Sequence, residues 1–289
     1  MNSAVHNPGR WDMHCHVSPC LIPRWGTAID AARSAQARGF AGMMLFAHHA
    51  STYREAALAE QAVPGIRVIG GVTLNRVCGG LIADCVRIHL ASGVRLFSLP
   101  TFDALAHIRV LGAGRSLARE IVHGSVEQGI SLLDGDVVHD AVLRVLDLLA
   151  SQGAVLCSGH IGTEELAAVV PEVCARNLPF VINHPYFLAH PSPAFWESLP
   201  AAVYVQFAAV NDAHDKRLPP IGAVHKVVAR IGAHRCMLGS QASAPTDPLR
   251  RIEDFCLELV GAGVPSVDVE TMASITPGSF VGLFLPRLS

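Results

Sequence analysis

The segment DMHCHVSP (Asp12 to Pro19) sets two imidazoles two residues apart near the start of the chain. On an extended strand that spacing puts both side chains on one face, so His14 and His16 can act on one object. Two buried imidazoles on an apolar strand each need a partner, and a metal ion supplies one partner for both. More histidines close short apolar runs: His48 and His49 in GMMLFAHH, His160 in AVLCSGH and His184 in PFVINHP. The expected metal ligands are therefore His14, His16, His160 and His184, with His48 as a further ligand or as a catalytic, substrate-binding group. Imidazoles with few carboxylates suit a borderline divalent ion, zinc first, with iron, manganese, cobalt or nickel as alternatives, and suit magnesium or calcium poorly. Such an ion polarises a carbonyl or phosphoryl oxygen and lowers the pKa of bound water toward about 7. The chemistry that follows is hydrolysis. His49 and His190 read as surface or loop residues, and His89, His107, His123, His139, His214, His225 and His234 as solvent-exposed residues of helices and loops.

For residues so far apart to meet, strand ends must converge. Short β-rich runs alternate with Ala/Leu/Arg-rich stretches of helical length, the pattern of βα units around a parallel sheet. The candidate strands are 10–17, 42–48, 66–74, 94–101, 154–160, 179–185, 203–210 and 235–241. Helical stretches such as TAIDAARSAQARG, GLIADCVRIHLASG, VVHDAVLRVLDLLASQG and RIEDFCLELVGAG fall between or after them, several ending in Gly or Asn before the next strand. Eight strands in 289 residues predict an α/β fold of the (β/α)8 TIM-barrel type, read as a single domain over 1–289, with an open doubly wound sheet as runner-up. In a barrel the C-terminal strand ends share one mouth, which is where the histidines fall. The stretch 107–136 is too long for an ordinary connection; its apolar runs IRVL and ISLL predict a β-hairpin insertion after strand four, lying over that mouth. The glycine fingerprint of dinucleotide-binding folds is missing.

Composition narrows the partners. Lys and Arg total 22 against 24 acidic residues, so no basic excess is present to collect phosphate backbones, and nucleic acid is not an expected partner. No uninterrupted apolar stretch approaches the roughly 20 residues that span a bilayer, and the first residues lack a signal-peptide pattern. The expectation is a cytoplasmic chain, away from membranes, acting on a small molecule, with homo-oligomerisation left open. The eight cysteines fall singly, without a CxxC pair, and read as small buried hydrophobes.

An HxH on strand one, GH ending strand five and NHP ending strand six together resemble the amidohydrolase superfamily of metal-dependent (β/α)8 hydrolases. The ordered series DMHCHVSP, FAHHAST, LFSLPTFDA, GISLLDGD, CSGHIGTEEL and VINHP is similar to a little-characterised branch of it, over roughly residues 12 to 284. The resemblance implies that His14 and His16 ligate the more buried metal, that His160 and His184 complete the site and that His48 faces the same pocket. The superfamily places a catalytic aspartate at the end of strand eight; this chain carries Gln241 there, which has no usable base form. Strand seven has Gln206 where an acidic residue is expected, and no strand lysine is available as a bridging ligand, which speaks for one ion rather than a bridged pair. Asp247, in SAPTDP, is the candidate to replace the missing aspartate by folding back over the mouth; the competing reading makes it the helix-start residue before Pro248. Asp12 shares the face of His14 and His16 by the period of two and could orient a ligand, and Asp103 is a further rim carboxylate.

Three functions follow: a metal-dependent hydrolase acting on an amide, lactone or cyclic C–N bond of a small molecule, a metal-dependent lyase, decarboxylase or isomerase, and a catalytically degenerate ligand-binding barrel. The apolar lining expected from Phe46, Leu99, Phe102 and Phe187 argues against a highly phosphorylated substrate, while Arg76 or Arg95 could hold one carboxylate.

Overall fold

The computed structural model of the chain describes residues 9–111, 129–209, 221–241 and 245–284. Among them the parallel strands are β1 (Trp11–Cys15), β2 (Gly42–Leu45), β3 (Arg67–Thr73), β4 (Leu96–Ser98), β7 (Val155–Cys157), β8 (Phe180–Asn183), β9 (Val203–Ala208) and β10 (Cys236–Gly239). They neighbour one another in chain order, each pair parallel, and β1 packs beside β10. The sheet is a nearly closed barrel.

Every barrel strand contributes to one interior cluster, with Trp11, Met13, Met44, Ile69, Leu96, Val155, Val181 and Met237 buried and Tyr204 packed against them. The other face of the same strands (Leu45, Val68, Phe97, Leu156, Ile182, Val205, Leu238) packs against helices. Strands buried on both faces read as continuous apolar runs, which is why they are conspicuous in the sequence. The helices are α1 (Ala28–Ala37), α2 (Tyr53–Ala62), α3 (Ala83–Ala91), α4 (Leu105–Leu111), α5 (Asp140–Ser151), α6 (Thr163–Ala175), α7 (Pro193–Ser198), α8 (Ile221–Ile231), α9 (Pro248–Gly261), α10 (Ser266–Glu270) and α11 (Thr276–Val281). Helix α11 places Phe280 and Val281 in the interior cluster beside Trp11, at the N-terminal end of the strands. That end is closed, and the opposite end is left for chemistry.

Two local expectations change. The hairpin after β4 is formed by β5 (Leu133–Asp134) and β6 (Val137–Val138), not by IRVL paired with ISLL. Ile108 to Leu111 belong to α4, and residues 112–128 of the expected insertion lie outside the described residues. Ile130 holds this segment to the rim, donating to Asp103 O at 2.7 Å and accepting from Leu105 N at 2.9 Å. The face alternation of β1 also breaks. Trp11 and Met13 belong to the interior cluster but Cys15 to the outer one, because the register against β2 shifts between Asp12 and Cys15. Asp12 is therefore not on the face of His14 and His16.

Candidate active site

The irregularity in β1 turns His14 inward at the top of the barrel, directly above Met13. Room for it comes from β10: a Cβ on Gly239 would lie 2.4 Å from His14 Cβ and 2.4 Å from Gln206 Nε2, so only glycine lets the three strands meet there. Asp12, fully buried, faces the seam instead. Its carboxylate accepts from His14 N (3.0 Å), Ser240 N (2.9 Å) and Ser240 Oγ (2.6 Å), and Gln241 N donates to His14 O at 2.9 Å. First and last strands are thus stapled at the level of the site. Burial pushes the Asp12 carboxyl up to about 6, against the lowering effect of those donors.

His16 follows at the end of the same strand, and three other strand ends deliver an imidazole to the same place. His16 lies 5.1 Å from His14 and 5.1 Å from His48, and His184 lies 5.6 Å from His14 and 5.1 Å from His160, ring centre to ring centre. His160 follows Gly159, whose positive φ (59°) and 2.3 Å approach of a would-be Cβ to Leu99 O exclude any side chain; this explains the GH at that position. His184 and Gln241 themselves have positive φ, 28° and 45°, a conformation uncommon for residues with a side chain and typical of functional rims. Phe46 stacks on His14 at 4.1 Å and Phe102 on His48 at 4.0 Å, while Phe187 packs against His160 and His184.

One participant was hidden in the sequence. His107, on α4 and expected to be exposed, is buried, stacks on His160 with rings 8° from parallel, and places its Nδ1 2.8 Å from His160 Nδ1. One of the two nitrogens donates and the other accepts, so the pair shares a proton. Only the i, i+3, i+4 burial of the short helix after β4 could have signalled it, and Ala104 and Ile108 are indeed buried on that face.

The rings are held neutral. Desolvation, followed by neighbouring positive charge from His184 or Arg24, keeps His14 and His16 well below the ordinary histidine range; desolvation and His107 do the same to His160. His48 is lowered to about 3 by desolvation and Arg24, and His184 to about 4 by desolvation. Arg24, buried in the connection from β1 to α1, is a cation at the site that strand-end reasoning passed over. Arg95 instead precedes β4, where it donates to Leu90 O and Val94 O, far from the mouth in the fold. Arg76 is exposed on the rim, its backbone N donating to Asp103 at 2.6 Å.

The expected metal centre is overturned. Among the described residues no group of three or more His, Cys, Asp or Glu side chains could hold a metal ion. His14, His16, His160 and His184 are together but not as a ligand set. His16 Nδ1 is taken by Phe46 O (2.8 Å), His48 Nδ1 by Thr101 Oγ1 (2.9 Å) and His160 Nδ1 by His107. The carboxylates that would balance a dication are spent: Asp12 on the seam, and Asp103 on the backbone of Arg76. Gln206, fully buried in β9, contributes an amide that accepts from Asn183 Nδ2 at 3.4 Å. The ligand set expected for zinc or its alternatives is not found among the described residues. Asp247 takes its helix-start role: it caps α9 through Leu249 N (3.0 Å) and accepts from Ser34 Oγ of α1 (2.7 Å). His49 is half-buried, with its Nδ1 enclosed and without a hydrogen-bond partner among the described residues.

A barrel closed below, with an imidazole-lined mouth above, defines the class as a (β/α)8 barrel, and solved structures agree. A structure from Pseudomonas putida assigned to 2-pyrone-4,6-dicarboxylic acid hydrolase superposes with TM-score 0.61 at 16% identity, covering 96% of this chain and 99% of that one. An amidohydrolase from Pseudomonas aeruginosa gives 0.64 at 9% identity over 96% and 97%. A 2,6-dihydroxybenzoate decarboxylase with 2,6-dihydroxybenzoate bound gives 0.56 at 10% over 96% and 99%. At such identities the likeness is one of fold. The chain belongs to the family described as "Family of unknown function (DUF6282)", which matches residues 9–199, the span from β1 to the end of α7. No curated protein matches it in sequence.

Proposed function

We propose that this barrel is a general acid–base enzyme that opens a lactone or cyclic amide in a small, planar, anionic molecule by hydrolysis. The observation that carries the reading is the continuous circle of neutral imidazoles between aromatic walls at the C-terminal mouth. Phe46, Phe102 and Phe187 offer flat apolar faces, and Arg24 adds positive charge felt by His14, His16 and His48. A flat anion matches both features. The solved folds named for a pyrone dicarboxylic acid and a dihydroxybenzoate handle molecules of that shape.

His16 is the base. A carbonyl oxygen can only accept, so the Nδ1 facing Phe46 O carries the proton and Nε2 presents a bare lone pair. That nitrogen takes a proton from water as the water oxygen bonds to the ring carbonyl carbon. The ring C–O or C–N bond then breaks, the proton held by His16 passes to the leaving oxygen or nitrogen, and the Nε2–H of His48, 5.1 Å away ring to ring, hydrogen-bonds to that atom as its charge develops. One water is consumed and no other reactant is required. Gln241, on the positive-φ turn after β10, is the amide assigned to orient the water in this reading.

A panel of six-membered lactones, cyclic amides and aromatic carboxylates tests this, with product mass recorded in H2(18)O. The expected result is turnover of a lactone or cyclic amide carrying a carboxylate, with one heavy oxygen in the new acid and a loss of about 10²–10⁴-fold in kcat for His16→Gln. Among the described residues the circle holds no carboxylate, with Gln206 and Gln241 in its stead; this favours decarboxylation as the second reading, and loss of CO2 without heavy-oxygen incorporation would establish it in place of the first. No binding or turnover across the panel would sink both.

A further inference from the structure

We infer that Asn75 and Thr101 are positioning residues that lock His48 in a single tautomer, with the proton on Nε2. This deepens the acid–base reading above, supplying the donor that it needs, but it stands on hydrogen-bond accounting alone.

Asn75 follows β3 and is buried. Its Oδ1 accepts two backbone N–H groups, from Thr101 at 2.8 Å and Asp103 at 3.3 Å. A backbone N–H can only donate, so the oxygen and nitrogen of this amide cannot be exchanged. Its Nδ2 therefore faces His48 O and Thr101 Oγ1, both at 2.8 Å, and donates to both. Thr101 Oγ1, buried after β4, thus already accepts a hydrogen bond, and its own proton has His48 Nδ1 within reach at 2.9 Å. Donation there makes Nδ1 an acceptor and leaves the ring proton on Nε2. The opposite tautomer would aim two N–H groups at one hydroxyl and leave a buried hydroxyl proton without an acceptor among the described residues, a costly arrangement.

The consequence is a matched pair of rings. His16, tied to a carbonyl, shows a bare Nε2; His48, tied through a hydroxyl to an amide, shows Nε2–H. Two neighbouring imidazoles of one chemical type become base and hydrogen-bond donor because the loops behind them end in different groups. The sequence VTLN…LPT after β3 and β4 holds this information, 26 residues apart.

The test reads the tautomer directly. In full-length protein labelled with 15N-histidine, long-range 1H–15N correlations at pH 7.5 should show His48, identified by the signals absent from His48→Gln, with its proton on Nε2 and a bare Nδ1. Asn75→Asp puts an acceptor opposite Thr101; the hydroxyl turns toward it, and His48 should invert to the Nδ1–H form. Thr101→Ser keeps the hydroxyl and should keep the wild-type pattern, whereas Thr101→Val should give an averaged mixture of both tautomers. Wild-type His48 with its proton on Nδ1 would overturn the inference, as would a pattern unmoved by both Asn75→Asp and Thr101→Val. Because the spectra need no substrate, a wrong substrate class leaves this result intact.

Discussion

Asp12 is a carboxylate beside a catalytic-looking HxH that does no chemistry there. Its oxygens are filled by His14 N, Ser240 N and Ser240 Oγ, so what it positions is the backbone of β1 against that of β10, and only through it the His14 ring. The hydrogen-bond pattern does not demand a charge. Asparagine can keep Oδ1 on the two backbone N–H groups and offer Nδ2 to Ser240 Oγ, whose proton can turn to His14 O, 3.4 Å away. Burial disfavours the ionised form, pushing the carboxyl to about 6. Asp12→Asn should therefore remain within about 1 kcal/mol of the parent at pH 7.5 or exceed it, whereas Asp12→Ala strands buried donors at the seam and should lose about 3 kcal/mol. Urea denaturation of both variants decides it; equal losses would show that the charge, not the acceptor geometry, closes the barrel.

At the scale of elements, the site depends on how closely three strands approach. Gly239 lies where β10 meets the His14 side chain of β1 and the Gln206 side chain of β9. His14 Cβ is fixed to the strand backbone, and Gln206 Nε2, though a side-chain end, is buried and donates to Phe207 O at 2.6 Å, so neither swings away freely from an added methyl. Gly239→Ala should cost about 2–3 kcal/mol of stability and move His14 out of the imidazole circle. Thermal melts together with ligand binding would check this: unchanged melting and unchanged binding would mean that the strands slide apart freely. The same logic places Gly159 under the backbone of Leu99, where the GH dipeptide lets β7 deliver His160. The hairpin of β5 and β6 has another part. Leu132 N, just before it, donates to Glu165 Oε1 of α6 at 2.8 Å, tying the insertion to the rim from which His160 projects.

For the whole molecule, gathering five neutral imidazoles in a water-poor mouth links folding to acidity. His14, His16, His48, His160 and His184 all have folded-state values below the unfolded value of about 6.5, desolvation being the first cause in each. Below pH 6.5 the unfolded chain therefore binds more protons than the folded one, and stability falls as pH falls. Asp12 works the other way: its raised value means the folded chain holds one extra proton between its unfolded value near 4 and about 6, offsetting one histidine. Histidines outnumber it. The protein should lose stability steadily from pH 6.5 downward and unfold above about pH 4, a slope of several kcal/mol per pH unit exceeding ordinary reserves. Circular dichroism across pH 3.5–8 measures this, and a chain still cooperatively folded at pH 4 would contradict it. No helix among the described residues is long and apolar enough to cross a membrane, consistent with burial of the apolar half of the sequence in the two barrel layers.

What the sequence determined by itself was what periodicity and strand-end composition can encode. Strands buried on two faces had to be apolar runs, so all eight stood out, and a barrel had to bring His14, His16, His48, His160 and His184 to one rim. The resemblance to amidohydrolases held for the same reason, since fold follows from those runs. Tertiary structure alone decided what the histidines face. A metal site requires at least three donors aimed at one point, which spacing does not guarantee: no such group is found among the described residues, and Asp12 and Asp103 are spent on backbone N–H groups. Residues beyond strand ends were equally illegible, because His107, Arg24 and Asn75 reach the mouth through one short helix and two loops whose paths no periodicity describes. The shift in β1 between Asp12 and Cys15 turned His14 into the pocket and left Asp12 on the seam, since a strand's side-chain direction depends on its pairing register as well as on its own count of two.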